Sequence, residues 1–252
     1  MRLTPAMLAL LLMLLVACNG GGKENSPDPK QTEPAVATAT TPAAQGTPAG
    51  GATVVSVDPL IKDEPVAFET DDGQTVRGHL YGVAGPKARV IIWAVNDGLP
   101  TTPALIKSFV SPGVDVLQFD FRRDISKIDH DLDAAVRFMK FRDYPRVYIV
   151  GVEEYGAAGL KVAAKEDLAG IVVISPILNA TGQDPRADLA NIKEPKLFIA
   201  SSGDPSAAAV ALLMQSSPDP KQSKIFEGNA CCMAILQNIE AARQLILDFI
   251  KK

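Results

Sequence analysis

The chain is poor in the residues from which many functional sites are built. Its 252 residues include only two histidines and three cysteines, and no spacing among them resembles a zinc site. Aromatic residues make up 6% of the chain. The formal charge of −4 and the pI near 5.3 show no basic excess, so we do not expect a surface dedicated to nucleic acid. We likewise expect no metal centre and no cofactor.

Residues 1–17 are predicted to be a signal peptide. Arg2 supplies a short positive region, and Ala6 to Val16 form an apolar stretch too short to span a bilayer comfortably. The stretch ends in Leu15-Val16-Ala17-Cys18, which resembles a bacterial lipobox. That resemblance implies that Cys18 is lipidated and holds the protein in the cell envelope, on the outer face of a bacterial membrane. The alternative is an ordinary secretory signal followed by a free cysteine.

Residues 18–52 are predicted to be a disordered tether behind the lipidated cysteine. They are rich in Pro, Ala, Thr and Gly and have no hydrophobic periodicity, so they cannot bury enough apolar surface to fold. A flexible chain of this length reaches roughly 30 Å on average. The alternative is a tail without a role.

Residues 53–252 are predicted to form one folded α/β domain. A β-hairpin opens it, with Asp71-Asp72-Gly73 as the turn. Apolar runs typical of buried strands then alternate with helical patterns, which favours a mostly parallel central sheet flanked by helices. The predicted later strands are Arg89 to Val95, Val114 to Phe119, Val147 to Val150, Gly170 to Ile174, Pro195 to Ala200 and Ser223 to Phe226. The main predicted helices are Thr101 to Val110, Ser126 to Arg142, Ser206 to Gln215 and Met233 to Lys251.

The centre of the functional interpretation is the segment Arg146 to Glu166, RVYIVGVEEYGAAGLKVAAKE. An apolar strand ends in Gly151, and an alanine-rich helix opens at Tyr155-Gly156. This arrangement places one side chain, that of Glu153, at the carboxyl end of a buried strand. Open α/β sheets usually bind their ligands at that edge.

This turn resembles the nucleophile elbow of the α/β-hydrolase superfamily, Gly-x-Ser-x-Gly. Gly151 takes the first glycine place, Glu153 the serine place and Tyr155 the second glycine place. Further along, Ser175-Pro176 and then Pro195 to Ala200, with Asp204 beyond, resemble the stretch that carries the family's acid. Gly228 to Leu236 resembles the loop that carries its histidine. Asp120-Phe121-Arg122 resembles the family's Asp-x-Arg. The resemblance implies an α/β-hydrolase-like fold with a minimal lid.

The same resemblance implies a degenerate catalytic triad. Hydrolysis in this family requires a nucleophile, a histidine base, a carboxylate that orients the histidine, and an oxyanion hole. Only the carboxylate, Asp204, is kept, because the nucleophile place holds Glu153 and the base place holds Cys231. The family's His-Gly after the third strand is replaced by Asn96-Asp97-Gly98. Tyr155 adds bulk where the tight turn normally tolerates none.

Several alternatives remain for these side chains. Cys231 could act as a nucleophile with Glu153 as its base, although the nearby acids would raise the pKa of the thiol. Glu153, Glu154 and Asp204 could gather around a cation or an amine, or Glu153 could cap the helix while Glu154 faces solvent. The adjacent Cys231 and Cys232 are expected to be two packed thiols, with a strained vicinal disulfide as the alternative.

The two histidines, His79 and His130, are expected to be surface or packing residues far from the elbow. The sequence therefore predicts a membrane-anchored, extracytoplasmic lipoprotein whose hydrolase-like domain has lost catalysis and binds a small molecule or a protein. One alternative is an active hydrolase with an altered site that acts on small esters or amides. Another is a solute-binding role for the old substrate pocket.

Overall fold

The computed structural model describes residues 61–95, 103–179 and 184–252. Four predictions concern residues outside these ranges: the signal peptide, lipidation at Cys18, the tether 18–52 and the domain start at Thr53. Asn96-Asp97-Gly98 also lies outside them. Within the described ranges, no helix combines the length and the apolar character that a membrane crossing requires.

Eight β-strands form one sheet. They are β1 (Lys62–Glu69), β2 (Thr75–Gly82), β3 (Arg89–Ala94), β4 (Val114–Phe119), β5 (Val147–Val152), β6 (Gly170–Ile174), β7 (Lys196–Ser201) and β8 (Lys221–Phe226). Their order across the sheet is β1-β2-β4-β3-β5-β6-β7-β8. β2 pairs antiparallel with both β1 and β4, whereas the remaining neighbours pair in parallel. A mostly parallel sheet with an opening hairpin, as predicted from the sequence, is therefore confirmed.

Helices cover both faces of the sheet. They are α1 (Pro103–Lys107), α2 (Ile128–Phe141), α3 (Glu154–Ala163), α4 (Ser206–Ser216), α5 (Cys232–Asn238) and α6 (Glu240–Lys251). Short 3-10 helices span Ile125–Lys127, Pro185–Ala187 and Leu189–Asn191. One hydrophobic core contains residues of α2, α3 and α4, and the other contains residues of α1, α5 and α6. The domain thus has three layers, with the sheet in the middle.

The strands read as continuous apolar runs because both faces of the sheet are covered. In β5, Val147 and Ile149 belong to the core under α2 and α3, while Tyr148, Val150 and Val152 belong to the core under α5 and α6. Alternate side chains of a strand point to opposite faces, so each strand contributes to both cores. This packing fixes β5, and with it the turn that follows, firmly in the middle of the sheet.

The closing helix differs from the sequence-based prediction of one helix over Met233 to Lys251. It is broken at Ile239, whose backbone is extended (φ −115°, ψ 96°), into α5 and α6. Arg243 of α6 donates hydrogen bonds to the carbonyls of Leu236 and Gln237 at the end of α5, which satisfies groups that a helix end leaves unpaired. The apolar residues keep a helical spacing across the break, so hydrophobic periodicity alone could not reveal it.

Candidate functional site

Glu153 lies at the carboxyl end of β5, in the sharp turn that leads into α3. Its backbone adopts φ 56° and ψ −127°, a region that is costly for any residue but glycine. The turn is tight because Gly151 and Gly156 come into contact: a Cβ on Gly156 would lie 2.9 Å from the Gly151 carbonyl oxygen and 2.5 Å from Val173 Cγ1. The two glycines thus let the start of α3 pack directly on the strand.

Tyr155 does not crowd this turn, contrary to the expectation from the sequence. Its ring is buried and packs edge-to-face against Phe121, with 4.7 Å between the ring centroids. The side chain therefore belongs to the hydrophobic core on the α3 side of the sheet. The close approach that requires a missing side chain falls on Gly156, one residue further on.

The thiol of Cys232 lies against Glu153. Cys232 Sγ donates a hydrogen bond to Glu153 Oε1 over 3.1 Å, and the residue stands at the start of α5. Cys231, which the resemblance placed at the position of the family's histidine, is instead exposed. Cys232 has a left-handed backbone (φ 57°), whereas Cys231 is extended (φ −123°), so successive side chains point in different directions. The structure therefore assigns the contact with Glu153 to Cys232.

The electrostatics of this contact keep the thiol protonated. Burial raises the pKa of Cys232, and its contacts with Cys231 and with the Glu153 carboxylate raise it further. A thiolate is the nucleophilic form of cysteine, and its formation beside a carboxylate is unfavourable. Cys232 is therefore a hydrogen-bond donor at this site rather than a nucleophile.

Ser175 joins Cys232 to Asp204. The buried Ser175 hydroxyl accepts a hydrogen bond from the Cys232 backbone N–H (2.9 Å) and donates to Asp204 Oδ2 (2.9 Å). Asp204 also accepts from the hydroxyl and the backbone N–H of Ser206, over 2.7 and 3.1 Å. Asp204 was predicted to occupy the position of the family's catalytic acid. Its carboxylate accepts hydrogen bonds from two serines instead of from an imidazole. From the sequence, Ser175 was expected only as part of the stretch that resembles the family's acid-bearing part, and its hydrogen bonds to Cys232 and Asp204 were not predicted.

Three strained backbones meet at this site. Among the described residues, the non-glycine residues with positive φ are Asp143, Glu153, Ser175 and Cys232. The last three are linked through the hydrogen bonds of Cys232. Such conformations each cost about 1–3 kcal/mol and concentrate at functional sites. Their convergence marks this carboxyl-edge cluster, defined as Glu153, Ser175, Asp204 and Cys232, as the candidate functional site.

Both histidines are bound to other side chains. His79 Nδ1 lies 2.6 Å from Asp63 Oδ1 in the opening hairpin, and His130 Nδ1 lies 2.8 Å from Asp71 Oδ1 in the hairpin turn. Neither ring forms a hydrogen bond with the carboxyl-edge cluster in the part of the chain that the structure describes. The carboxyl-edge cluster therefore contains two carboxylates, one hydroxyl and one thiol, and no imidazole.

Two alternatives were predicted for Glu153 and Glu154, a cation site and a helix cap, and the contacts of these residues differ from both. The Glu153 carboxylate binds Cys232 and makes no side-chain cap to α3. Glu154 is half-buried rather than facing solvent, and burial together with the Glu153 charge raises its pKa. Over the described ranges, no group of three or more His, Cys, Asp or Glu side chains gathers as metal ligands would.

Comparison with known proteins identifies the fold. No protein-family model matches the chain, and neither does any curated protein. Among solved structures, the α/β hydrolase GrgF from Penicillium sp. is 15% identical, with a TM-score of 0.66 over 75% of this chain and 98% of that one. A dienelactone hydrolase from Anabaena variabilis is 16% identical, with a TM-score of 0.62 over 76% and 97%. An esterase domain from a Rhodothermus marinus protein is 17% identical, with a TM-score of 0.59 over 74% and 95%.

The chain therefore has an α/β-hydrolase-like fold, as the sequence predicted. At these identities the likeness concerns the fold, and one fold supports many functions. What this chain does must be argued from its own site.

Proposed function

We propose that this protein is a membrane-tethered, extracytoplasmic lipoprotein whose α/β-hydrolase-like domain has lost hydrolytic catalysis and binds a small molecule or a partner protein. One observation carries the loss of catalysis: Glu153 at the elbow is hydrogen-bonded by the Cys232 thiol, whose raised pKa keeps it protonated. The carboxyl-edge cluster contains no imidazole, the group that takes up and returns the proton in the family's triad.

A carboxylate nucleophile would not remove this difficulty. If Glu153 attacked an ester carbonyl, the alkoxide would leave and an acyl anhydride would form on Glu153 Oε. Turnover would then require a base to activate water for the second step. Asp204, the other carboxylate of the cluster, is bound to the hydroxyls of Ser175 and Ser206. The cluster is better suited to hold a ligand in a fixed geometry than to pass protons through a reaction cycle.

The second candidate is an active hydrolase with an altered site that acts on small esters or amides. The observation in its favour is the strain itself, since left-handed backbones at Glu153, Ser175 and Cys232 are typical of catalytic centres. The hydrolase and esterase neighbours agree with either candidate. Only turnover measurements separate them.

The test is an assay of the full chain in non-ionic detergent against a panel of activated esters and thioesters. Glu153→Ala and Cys232→Ala remove the two contacting side chains, and Cys231→Ala is the matched control at the neighbouring exposed thiol. We expect the wild type and all three variants to show the same background rate. Turnover that is lost in Glu153→Ala or Cys232→Ala but kept in Cys231→Ala would overturn the loss of catalysis and establish the altered-site hydrolase.

The tether is tested separately. Cells that express the wild-type chain with radioactive palmitate are expected to yield a labelled, membrane-associated protein. A Cys18→Ser variant is expected to carry no label, because it lacks the thiol to which the lipid is attached. An unlabelled wild-type chain would contradict the lipid anchor and leave the fold and the site unaffected.

A further inference from the structure

A cavity lies at the edge of the sheet opposite to Glu153. It has a volume of about 590 Å³ and is bounded by residues at the starts of β5 to β8 and by the last turn of α6. Its size falls within the range of about 300–1,000 Å³ that is typical of small-molecule sites. We call it the amino-edge pocket, because the parallel strands begin there.

Four cationic residues and no acidic residue line this pocket within the described part of the chain. The cations are Arg146, Lys196, Lys221 and Lys252. Two aromatic residues, Tyr148 and Phe249, are the main apolar components of the lining. Their rings pack edge-to-face with 6.4 Å between centroids. Both rings are largely buried, at 3% and 5% exposure, so the pocket pairs positive charge with the edges of two packed aromatic rings.

The charges in the wall are not neutralised by hydrogen-bonded carboxylates. The fully buried Lys196 donates to the carbonyls of Ile192 (2.9 Å) and Glu194 (2.8 Å), and Lys221 donates to the carbonyl of Ser217 (2.5 Å). Burial lowers the pKa of Lys196, and the nearby carboxylates of Glu194 and Asp219 raise it in part without forming a hydrogen bond to it.

Arg146 is one of the exposed cations of the lining. Its backbone carbonyl accepts a hydrogen bond from the Val90 N–H (2.9 Å). Among the residues that the structure describes, its guanidinium forms no hydrogen bond or ion pair. Its guanidinium offers five N–H donors in a fork that matches the oxygens of a phosphate or a carboxylate.

We propose that the amino-edge pocket is a second binding site, for a small anionic ligand that carries an aromatic or other apolar group. Arg146 and Lys221 bind the anionic group, and Tyr148 and Phe249 contact the apolar group. Two sources share this chemistry: a soluble aryl or acyl anion, and the anionic headgroup region of the membrane lipids to which we propose the chain is tethered.

This site is independent of the carboxyl-edge cluster. The two lie at opposite ends of β5, whose six residues span about 20 Å at roughly 3.3 Å per residue. A ligand in one site therefore does not contact the other. Failure of the proposed function at Glu153 leaves the amino-edge proposal standing, and the reverse also holds.

The experiment is isothermal titration of the full chain, in non-ionic detergent, with phenyl phosphate. Inorganic phosphate and benzyl alcohol serve as probes that carry only the anionic or only the aromatic half. The variant Arg146→Gln/Lys221→Gln removes two cations from the pocket. Lys107→Gln/Arg123→Gln is the matched control, because it removes the same charge from two exposed residues outside the pocket.

We expect the wild type to bind phenyl phosphate more tightly than either partial probe. The pocket variant should bind it about tenfold more weakly or worse, which corresponds to about 1.4 kcal/mol, and the control should bind like the wild type. Absence of binding to the wild type, or equal weakening in both double variants, would overturn the proposal. Glu153→Ala is expected to bind phenyl phosphate as the wild type does.

A second arm distinguishes the two sources of the ligand. The titration is repeated with the full chain in nanodiscs of neutral lipid and in nanodiscs of anionic phosphatidylglycerol. If headgroups occupy the pocket, phenyl phosphate binding is lost in the anionic discs, and the pocket variant abolishes that dependence on lipid charge. If the ligand is soluble, binding to the wild type is the same in both discs.

Discussion

Cys232 Sγ and Glu153 Oε1 lie 3.1 Å apart, with the thiol as donor and the carboxylate as acceptor. The two residues come from turns that are 79 positions apart in the chain, and both have left-handed backbones. The contact holds the start of α5 against the elbow and makes the protonation of the thiol depend on the carboxylate.

The reactivity of Cys232 should report this dependence directly. In a Cys231→Ser background, we expect iodoacetamide to alkylate Cys232 at pH 8 at least about tenfold more slowly than a thiol of ordinary pKa near 8.5, because each unit of raised pKa removes tenfold of the thiolate. Glu153→Gln removes the negative charge and should speed the reaction. Mass spectrometry measures the rates, and Glu154→Gln, which alters the neighbouring carboxylate, should have the smaller effect. A larger effect of Glu154→Gln would contradict the assignment.

The buried Asp131 should be essential for stability. It accepts hydrogen bonds from the backbone N–H of Arg122 (3.0 Å) and from Arg122 Nε (2.6 Å), and it is completely buried. Asp131→Ala would leave the Arg122 backbone N–H and Nε without their acceptor, while the guanidinium keeps its ion pair with Asp72 (2.6 Å). We expect a loss of about 1–3 kcal/mol in the free energy of unfolding for each unpaired donor, measured by urea denaturation. Asp133→Ala, which breaks a partly exposed pair with Arg137, should cost about 0–1 kcal/mol. Equal losses would refute this ranking.

The contact between β5 and α3 should make Gly156 intolerant of a side chain. Gly156→Ala places its Cβ 2.5 Å from Val173 Cγ1 and 2.9 Å from a backbone oxygen, and overpacking of this kind costs about 1–3 kcal/mol. Gly159→Ala is the control on the same helix, because its Cβ would come no closer than 3.0 Å to the methyl group of Ile149. We expect a clearly larger fall in melting temperature for Gly156→Ala. A smaller fall would mean that the turn relaxes more easily than its packing suggests.

Asp115 should make stability depend on pH. Burial raises the pKa of Asp115, although the hydrogen bond from Tyr144 lowers it in part. The native state therefore binds this proton more tightly than the unfolded state does. The resulting contribution is fully present below the unfolded pKa near 3.9 and is lost as pH rises through the folded pKa.

In Asp115→Asn, which keeps an acceptor for Tyr144, this loss should disappear. Denaturation at a series of pH values from about 3 to 7 should show the variant gaining on the wild type as pH rises. Tyr144→Phe tests the opposite sign, since it removes the group that lowers the Asp115 pKa and should steepen the loss. A difference between Asp115→Asn and wild type that does not change with pH would contradict the assignment.

The fold was largely predictable because its buried strands are continuous apolar runs and its main helices have a regular apolar spacing. Apolar runs such as Gly170–Ile174 are buried on both faces, and the spacing in Ile128–Phe141 is that of an amphipathic helix. The break at Ile239 was not predictable, since the periodicity continues across it and the cap comes from the Arg243 side chain.

The turn that carries the site was predictable from the sequence, but the side-chain contacts within the site were not. The glycines around Glu153 indicated a strand-to-helix turn. Which of the adjacent residues Cys231 and Cys232 reaches Glu153 depends on one backbone φ angle, and a residue pattern does not fix that angle. Ser175 was placed in the acid-bearing stretch, but its link between Asp204 and Cys232 could not be predicted, because it depends on where these two residues lie in space.

The left-handed backbones at Glu153, Ser175 and Cys232 also affect how the domain responds to heat. Glycine adopts such angles without steric penalty. The side chains at these three positions each lower the free energy of unfolding by about 1–3 kcal/mol. Strain at the carboxyl-edge cluster therefore lowers the free energy of unfolding of the domain. A molecule that binds these three residues would counter that weakness, and its arrival should be visible as a rise in melting temperature even where no chemistry follows.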